Sequence, residues 1–421
     1  MPKESIDLKA PLEKVLLVIL DIREKQKQWD IKNVQKEMEE LVIACAGVIV
    51  DSMVVKVSKP TASYLITESK VNEIVNLLTI KNVDTVIFSH DLKGSQQRNL
   101  EEKLHVKTID RTQLILDIFV RHATTQEGKM QVELAQLQYL LPRLVGKGIE
   151  LSQLGGGIGT LGPGETKLEV DRRRIDQRIT RLRRNLDEVV SHRALTRKKR
   201  KEKGVPTVSL VGYTNAGKST LLNILTDAGQ KTKDGLFTTL DSLSRQMLLP
   251  NHQKVIISDT VGFMHDLPHH LIEAFRATLE EVKEADLLLH VLDVSDPNFR
   301  DLHEAVQTVL KELDSLDRPT ITVLNKLDKL DKNTKWAEFE NLFENSVCIS
   351  AMNKVNIDKL LAKISEMVGG FFVEINADIP INRMDLVNLA HDEGQVYSVK
   401  YYNEKINIRA SVPSHIAGKF Q

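Results

Sequence analysis

Gly212-Tyr213-Thr214-Asn215-Ala216-Gly217-Lys218-Ser219 is the stretch that decides the fold. An apolar run with strand composition, Thr207–Val211, leads into it, and a helical pattern follows. Strand, glycine turn, then Gly-Lys-Ser at a helix start is the GxxxxGK[ST] phosphate loop in the setting it requires. Its glycines let backbone N–H groups wrap a phosphate chain, and the helix N-terminus adds positive potential. Residues Gly212 to Gly217 are therefore expected to cradle phosphates. Lys218 is expected to reach the β- and γ-phosphates and act in catalysis. Ser219, with Thr220 beside it, is placed for Mg²⁺.

Gly-Lys-Ser alone permits either ATP or GTP. The strand Val255–Ser258 ends in Asp259-Thr260-Val261-Gly262. There Asp259 is placed to hold Mg²⁺, and the N–H of Gly262 to sense the γ-phosphate. The strand Thr320–Leu324 ends in Asn325-Lys326-Leu327-Asp328. A carboxylate at Asp328 accepts both the N1–H and the 2-amino group of guanine. Adenine offers neither donor, and such a mismatch is heavily penalised. Asn325 steadies base and loop, the Lys326 stem packs on the ring, and Ser350-Ala351 offers backbone N–H to the 6-oxo group. Four short motifs in order, each at a strand's C-terminal end, mark the edge where open α/β sheets bind ligands. They imply a GTP-hydrolysing enzyme.

Between phosphate loop and Asp259 lies Gly235-Leu236-Phe237-Thr238-Thr239-Leu240-Asp241. A switch I threonine belongs here, to place its hydroxyl on Mg²⁺ and its backbone on the γ-phosphate. Thr239 is the expected residue and Thr238 the alternative, with Phe237 adjoining. After Gly262 stands Phe263, where a glutamine would orient the attacking water. Slow intrinsic hydrolysis follows, with water positioning supplied by switch rearrangement, an ion or a partner.

The whole chain sets the surroundings. It has 421 residues, no net formal charge and two distant cysteines, Cys45 and Cys348. Such counts give no disulfide framework or zinc site. The segment Met1 to Pro11 is charged and lacks an apolar core, so no signal peptide is expected. No run nears the roughly 18 apolar residues of a membrane span. A cytoplasmic protein, monomeric as the simplest case, is expected.

The fold expected is α/β, in four parts. Residues 1–123 alternate strand and helix patterns, an N-terminal α/β domain. Residues 124–203 carry two heptad seams: Met130, Leu134, Leu137, Leu141, Leu144 and Ile175, Ile179, Leu182, Leu186, Val189. These read as an antiparallel helical hairpin around a Gly-rich loop. Residues 204–370 form the P-loop GTPase domain, a mostly parallel sheet with helices on both faces. Residues 371–421 form a small α+β unit, with strands at Phe371–Ile375, Gln395–Tyr402 and Lys405–Val412.

The loop, Gly155-Gly156-Gly157-Ile158-Gly159-Thr160-Leu161-Gly162-Pro163-Gly164, is too rich in glycine for core packing. It is a close-approach surface for a large partner or a linker. From Lys167 to Lys203, fifteen Lys/Arg face six Asp/Glu. Arg172, Arg173, Arg174, Arg178, Arg181, Arg183 and Arg184 favour phosphate or RNA contact. No aromatic is interleaved, so backbone and shape recognition of folded RNA fits better than base stacking.

With these residues in hand, the chain resembles HflX-type GTPases of the translation-factor class along nearly its whole length. The Gly-rich loop continuing into Glu165-Thr166-Lys167-Leu168-Glu169-Val170-Asp171 carries the resemblance most specifically. It is joined by Asp110–Phe119, Gln131–Leu137, Phe237–Asp241 and Asp259–Phe263. The resemblance implies a partner, the large ribosomal subunit, with the N-terminal region and hairpin reaching ribosomal RNA near the peptidyl-transferase centre. It implies splitting or rescue of stalled ribosomes, often under heat or other stress. The large subunit would stimulate hydrolysis, which serves release and recycling. Asn215 by resemblance invites K⁺ beside the phosphates. The chain departs from the family at Leu161, where a basic residue is usual, and at Gln153-Leu154, often Arg-Gln. Two rival readings remain: a factor for ribosome assembly or tRNA modification, and a nucleotide-regulated RNA-binding scaffold.

Overall fold

The computed structural model describes residues 12–22, 30–144, 163–202, 204–226, 237, 243–251, 253–265, 268, 271, 274–331, 336–369 and 372–420. The chain divides into two compact units, 1–183 and 184–421.

The first unit is built on a parallel four-stranded sheet, β2-β1-β3-β4, from β1 (Lys14–Ile22), β2 (Val48–Val57), β3 (Thr85–Phe88) and β4 (Lys107–Asp110). Val15 to Leu20 of β1 are all buried, because helices cover both faces. The helices are α1 (Ile31–Ala44), α2 (Glu68–Lys81), α3 (Gly94–Leu104) and α4 (Arg111–His122). Asp30 caps α1 through the Lys32 N–H at 3.3 Å.

Asp110, at the end of β4, does more than cap α4. Its fully buried carboxylate accepts from the N–H of Gln113 (2.9 Å) and Leu92 (3.0 Å), and from the Tyr139 hydroxyl (2.9 Å) and Arg143 Nη2 (2.9 Å). Tyr139 and Arg143 lie on α5 (Gln126–Leu144), so this carboxylate pins α5 to the sheet's edge. Burial pushes the Asp110 carboxyl up, against the pull of its donors and Arg143. Arg143→Ala leaves that carboxylate buried without its counter-charge. The expected cost is about 3–5 kcal/mol, measured as lost amide-exchange protection in β1–β4.

The seam on α5 is only part of its packing. Leu134 is buried and Met130, Leu137 and Leu141 are half-buried, but Val132, Ala135 and Tyr139 form a second buried face. The helix α6 (Pro163–Glu202) buries Ile179, Leu182 and Leu186 of the other seam. Arg178 of α6 grips Glu133 of α5 with Nε and Nη2 at 2.6 and 2.7 Å. The Gly-rich loop up to Gly162, Leu161 included, lies outside the described residues.

The second unit carries a six-stranded sheet, β10-β9-β8-β5-β7-β6. Its strands are β5 (Thr207–Val211), β6 (Leu243–Leu248), β7 (Lys254–Asp259), β8 (Leu287–Asp293), β9 (Thr320–Asn325) and β10 (Ser346–Cys348). All neighbours run parallel except β6, which lies antiparallel on β7. Its helices include α7 (Lys218–Thr226), α8 (Arg276–Lys283), α9 (Phe299–Glu312), α10 (Ala337–Glu340) and α11 (Ile357–Val368). Val208, Leu210, Leu289, Val291, Ile321 and Val323 fill the sheet's core.

After α11 comes an antiparallel sheet, β11-β13-β12, with β11 at Phe372–Pro380, β12 at Gln395–Tyr401 and β13 at Lys405–Pro413. Helix α12 (Met384–Glu393) packs Leu386, Val387 and Ala390 onto it. The strand expected to end at Ile375 continues to Pro380. Asn376 and Asp378 are poor strand formers, but Asn407 Nδ2 of β13 bonds both, at 3.2 and 2.8 Å. Cross-strand pairing overrides local preference here. Burial pushes the Cys45 thiol up to about 11 and the Cys348 thiol up to about 12, so both stay protonated.

Candidate functional site: a nucleotide cradle at the sheet's C-terminal edge

The phosphate loop turns off β5 with three residues at positive φ: Gly212 at 151°, Asn215 at 61° and Gly217 at 98°. Glycine is required at two of them for space as well. A Cβ on Gly212 would strike the Val291 carbonyl oxygen of β8, and one on Gly217 would strike Asn325 Nδ2. The loop is thus threaded between its neighbouring strands. Asn215 is exposed at its tip, and Ala216 is buried beneath.

Lys218 is buried, and its ammonium donates to the carbonyls of Gly212 (3.0 Å) and Tyr213 (2.8 Å). Burial pulls its pKa down to about 8, opposed by Asp259 and reinforced by Lys326. A phosphate chain in the loop would supply the missing counter-charge. Ser219 Oγ donates to Asp259 Oδ2 at 2.6 Å. A hydroxyl and a carboxylate beside a phosphate cradle are the hard oxygen donors Mg²⁺ prefers, so these residues fit that ion. Among the described residues no cluster of three His, Cys, Asp or Glu forms a separate metal site. Thr220 is half-buried in the first turn of α7.

Phe263 is the residue whose role the motif reading missed. Its side chain is 1% exposed. Its backbone is zipped to the phosphate loop: Phe263 N–H donates to Gly212 O (3.0 Å), and Thr214 N–H donates to Phe263 O (2.9 Å). Tyr213 adds its hydroxyl, which accepts from the His265 N–H at 3.1 Å. The switch II segment therefore begins hydrogen-bonded to the loop it would sense. Thr260 turns its hydroxyl into the sheet, onto the Leu210 carbonyl at 2.6 Å, so only its backbone faces the site. Val261 is buried beside it. Phe237 is buried with φ 54°, while Thr238 and Thr239 lie outside the described residues.

On the base side, Asn325 braces two loops at once. Its Nδ2 donates to Ala216 O (2.9 Å), and its Oδ1 accepts from Ala351 N–H (3.0 Å). The Ser350 N–H donates to Val355 O at 3.2 Å. Both N–H groups expected for the guanine 6-oxo group are thus engaged within the protein. The Ser350 hydroxyl donates to Asp328 Oδ1 and orients that exposed carboxylate. Lys326 has φ 69°, and its ammonium sits 2.7 Å from Asp293 Oδ2. Asp293 was not singled out from sequence, although its place at the end of β8 on the ligand edge was the available signal.

Under the cradle, His290 of β8 is fully buried, with neither ring nitrogen hydrogen-bonded. It stacks on His303 of α9 at 4.8 Å. Burial, then His303, then Lys218, holds its pKa down to about 3. A base with a depressed folded pKa stabilises the fold above its unfolded pKa, and that stability drains as pH falls toward the folded value. The window here runs from about 6.5 down to about 3, at about 1.4 kcal/mol per pH unit. His290→Leu should therefore flatten the loss of stability between pH 7 and 5 by about 2 kcal/mol, read from urea denaturation at the two pH values.

The loop, the Ser219–Asp259 pair and the Asn325-to-Asp328 turn define a P-loop GTPase. Models of three regions match in order: a GTP-binding GTPase N-terminal region over residues 32–120, a GTP-binding GTPase middle region over 122–200, and a 50S ribosome-binding GTPase over 207–326. The chain is 43% identical over 381 residues to the GTPase HflX of Caldanaerobacter subterraneus, covering 90% of this chain and 87% of that one. It is 42% identical to GTPase HflX of Alkalihalophilus pseudofirmus (93% and 91% covered) and 42% identical to that of Escherichia coli K12 (82% and 83%). The chain belongs to the HflX family of GTPases. It binds and hydrolyses GTP.

Proposed function

We propose that this GTPase binds the large ribosomal subunit and uses the GTP state to split or rescue stalled ribosomes. The observation that carries the reading is the contrast along α6. Arg173, Arg174 and Arg184 are 71%, 76% and 82% exposed, each beside a same-helix carboxylate at 3.5 to 4.0 Å. Exposed pairs of this kind contribute little and yield readily to phosphate. A concentrated guanidinium face on a long helix suits the backbone of folded RNA. The matched region model, described as a 50S ribosome-binding GTPase, supports the same partner.

Within the site, Lys218 and the N–H groups of the loop hold the β- and γ-phosphates. Asp328 selects guanine, and Ser219, Asp259 and Thr239 would hold Mg²⁺, which would supply positive charge to the transferred phosphoryl group. The Gly262 N–H reads the γ-phosphate. No side chain at position 263 orients water, so RNA docking supplies that step by rearranging the switches, with K⁺ at Asn215 adding charge. Residues 1–203 make the RNA contacts, 204–370 the hydrolysis, and 371–421 an accessory unit of a monomer. Docking displaces the other subunit only by as much as it favours the GTP state.

The test is GTP turnover with and without purified large subunits at fixed K⁺ and Mg²⁺, with ATP in parallel, plus gradient analysis of intact ribosomes. Stimulation of at least tenfold for GTP alone, with subunit release, is expected. Unstimulated turnover and intact ribosomes would overturn the reading. Replacing K⁺ by Na⁺ tests Asn215: equal rates would remove the cation from the mechanism.

A further inference from the structure

Both switch segments lead to one acidic pair. Helix α8 follows the Gly262–Phe263 segment, and β6 follows the segment that holds Thr239. Glu281 of α8 accepts from the Ser244 hydroxyl of β6 at 3.3 Å and lies 3.6 Å from Arg193 Nη1 of α6. Glu280, its neighbour, lies 3.4 Å from Arg197 Nη2, one helical turn further along α6. These four side chains are only 15–25% exposed. They are drawn in, whereas the arginines nearer the start of α6 stand open.

The inner face of α8 is packed against the domain, beside β5. Thr278, Leu279 and Val282 are buried, which turns Glu280 and Glu281 outward. Phe275 at its start is buried, as are Ala274, Leu271, Met264 and Phe263 ahead of it. The Phe275 carbonyl accepts from Leu279 N–H at 3.0 Å, and the Phe275 N–H donates to Leu271 O at 2.9 Å. On the other side, Leu243 of β6 is in register with Asp259 and Ser244 with Ser258. A displacement at the start of β6 thus has a direct hydrogen-bonded route to Glu281 through Ser244, and one at Gly262 enters a segment whose described residues ahead of α8, apart from His265 and Pro268, are buried.

We infer that Glu280 and Glu281 are positioning residues that report the state of both switches to α6 through Arg197 and Arg193. When the switches rearrange, α8 shifts, the two ion pairs change length together, and α6 moves or frays over residues 184–202. The same helix runs back to Pro163 through the exposed arginines. The nucleotide state thereby sets how that face is presented to RNA. The choice of RNA as recipient rests on the reading above, but the coupling itself does not.

The experiment compares wild type, Glu280→Gln/Glu281→Gln, and the charge-swapped pair Glu280→Arg with Arg197→Glu. Amide exchange over residues 184–202 is read with GDP and with a non-hydrolysable GTP analogue. The ratio of large-subunit affinities in the two states is read alongside. Wild type should show a nucleotide-dependent difference in protection. The double Gln variant should reduce that difference and the affinity ratio at least fivefold, with GDP affinity unchanged, and the swap should restore most of both. The inference is overturned if wild type shows no difference over 184–202, or if the Gln variant keeps it. Wild-type exchange that responds to nucleotide while large subunits bind in neither state would sink the ribosomal reading and leave the coupling standing.

Discussion

Asp328→Asn is expected to lower GTP affinity by about three to five orders of magnitude and to raise affinity for xanthosine triphosphate. Asp328 is exposed and its carboxylate is oriented by the Ser350 hydroxyl, so it is presented ready to accept two donors from one base edge. An amide there turns one acceptor into a donor. Guanine then meets N–H against N–H, whereas xanthine, with a 2-oxo group, meets a matching partner. Once a base covers this carboxylate, losing the matched partner there costs far more than losing an apolar contact. Competition of each triphosphate against a fluorescent guanosine diphosphate measures the exchange. Unchanged preference for GTP would mean the base is read elsewhere.

Gly262→Ala is expected to lower GTP hydrolysis about a hundredfold, and where the switch rather than the lysine yields, GDP binding changes little. A Cβ at this position would lie 2.7 Å from Thr214 Cγ2, 2.9 Å from Thr214 Cα and 3.3 Å from Lys218 Nζ. The Thr214 backbone is held by Phe263, so it has little room to give way. The added methyl must push the switch away from the γ-phosphate position or displace the lysine. The first leaves the diphosphate part of the cradle intact, whereas the second would weaken GDP binding as well. Single-turnover hydrolysis beside GDP titration separates these effects, and a normal rate would show that the segment swings clear before chemistry.

How far the sequence could be read follows the range of the interactions. The phosphate loop was legible because its needs are local: glycine at Gly212 and Gly217, a lysine and a serine at a helix start. Asp259, Asn325 and Asp328 were legible because strand ends place them on one edge. Phe263 was legible only as a missing glutamine. Its real contribution, backbone bonds to Gly212 and Thr214, depends on two distant strands lying side by side. The pairing of Lys326 with Asp293, and of Glu281 with Arg193 and Ser244, has no spacing rule to betray it. Helix α5 shows the limit of pattern: a heptad stripe was plain, but Tyr139 and Ala135 on a second buried face were hidden by the polar residues between them. Asp110 was visible within a resembling segment, but nothing local announces four donors converging on one carboxylate.

Asn325 ties the fate of the two ends of the nucleotide together. One side chain holds Ala216 under the phosphates and Ala351 beside the base. Opening the base pocket therefore slackens the phosphate grip, and loosening the phosphate loop unseats the base. Release is then expected to be concerted rather than stepwise, since one side chain braces both loops. A partner that merely tugs on the segment around Ser350 gains a lever on nucleotide exchange without approaching a phosphate at all.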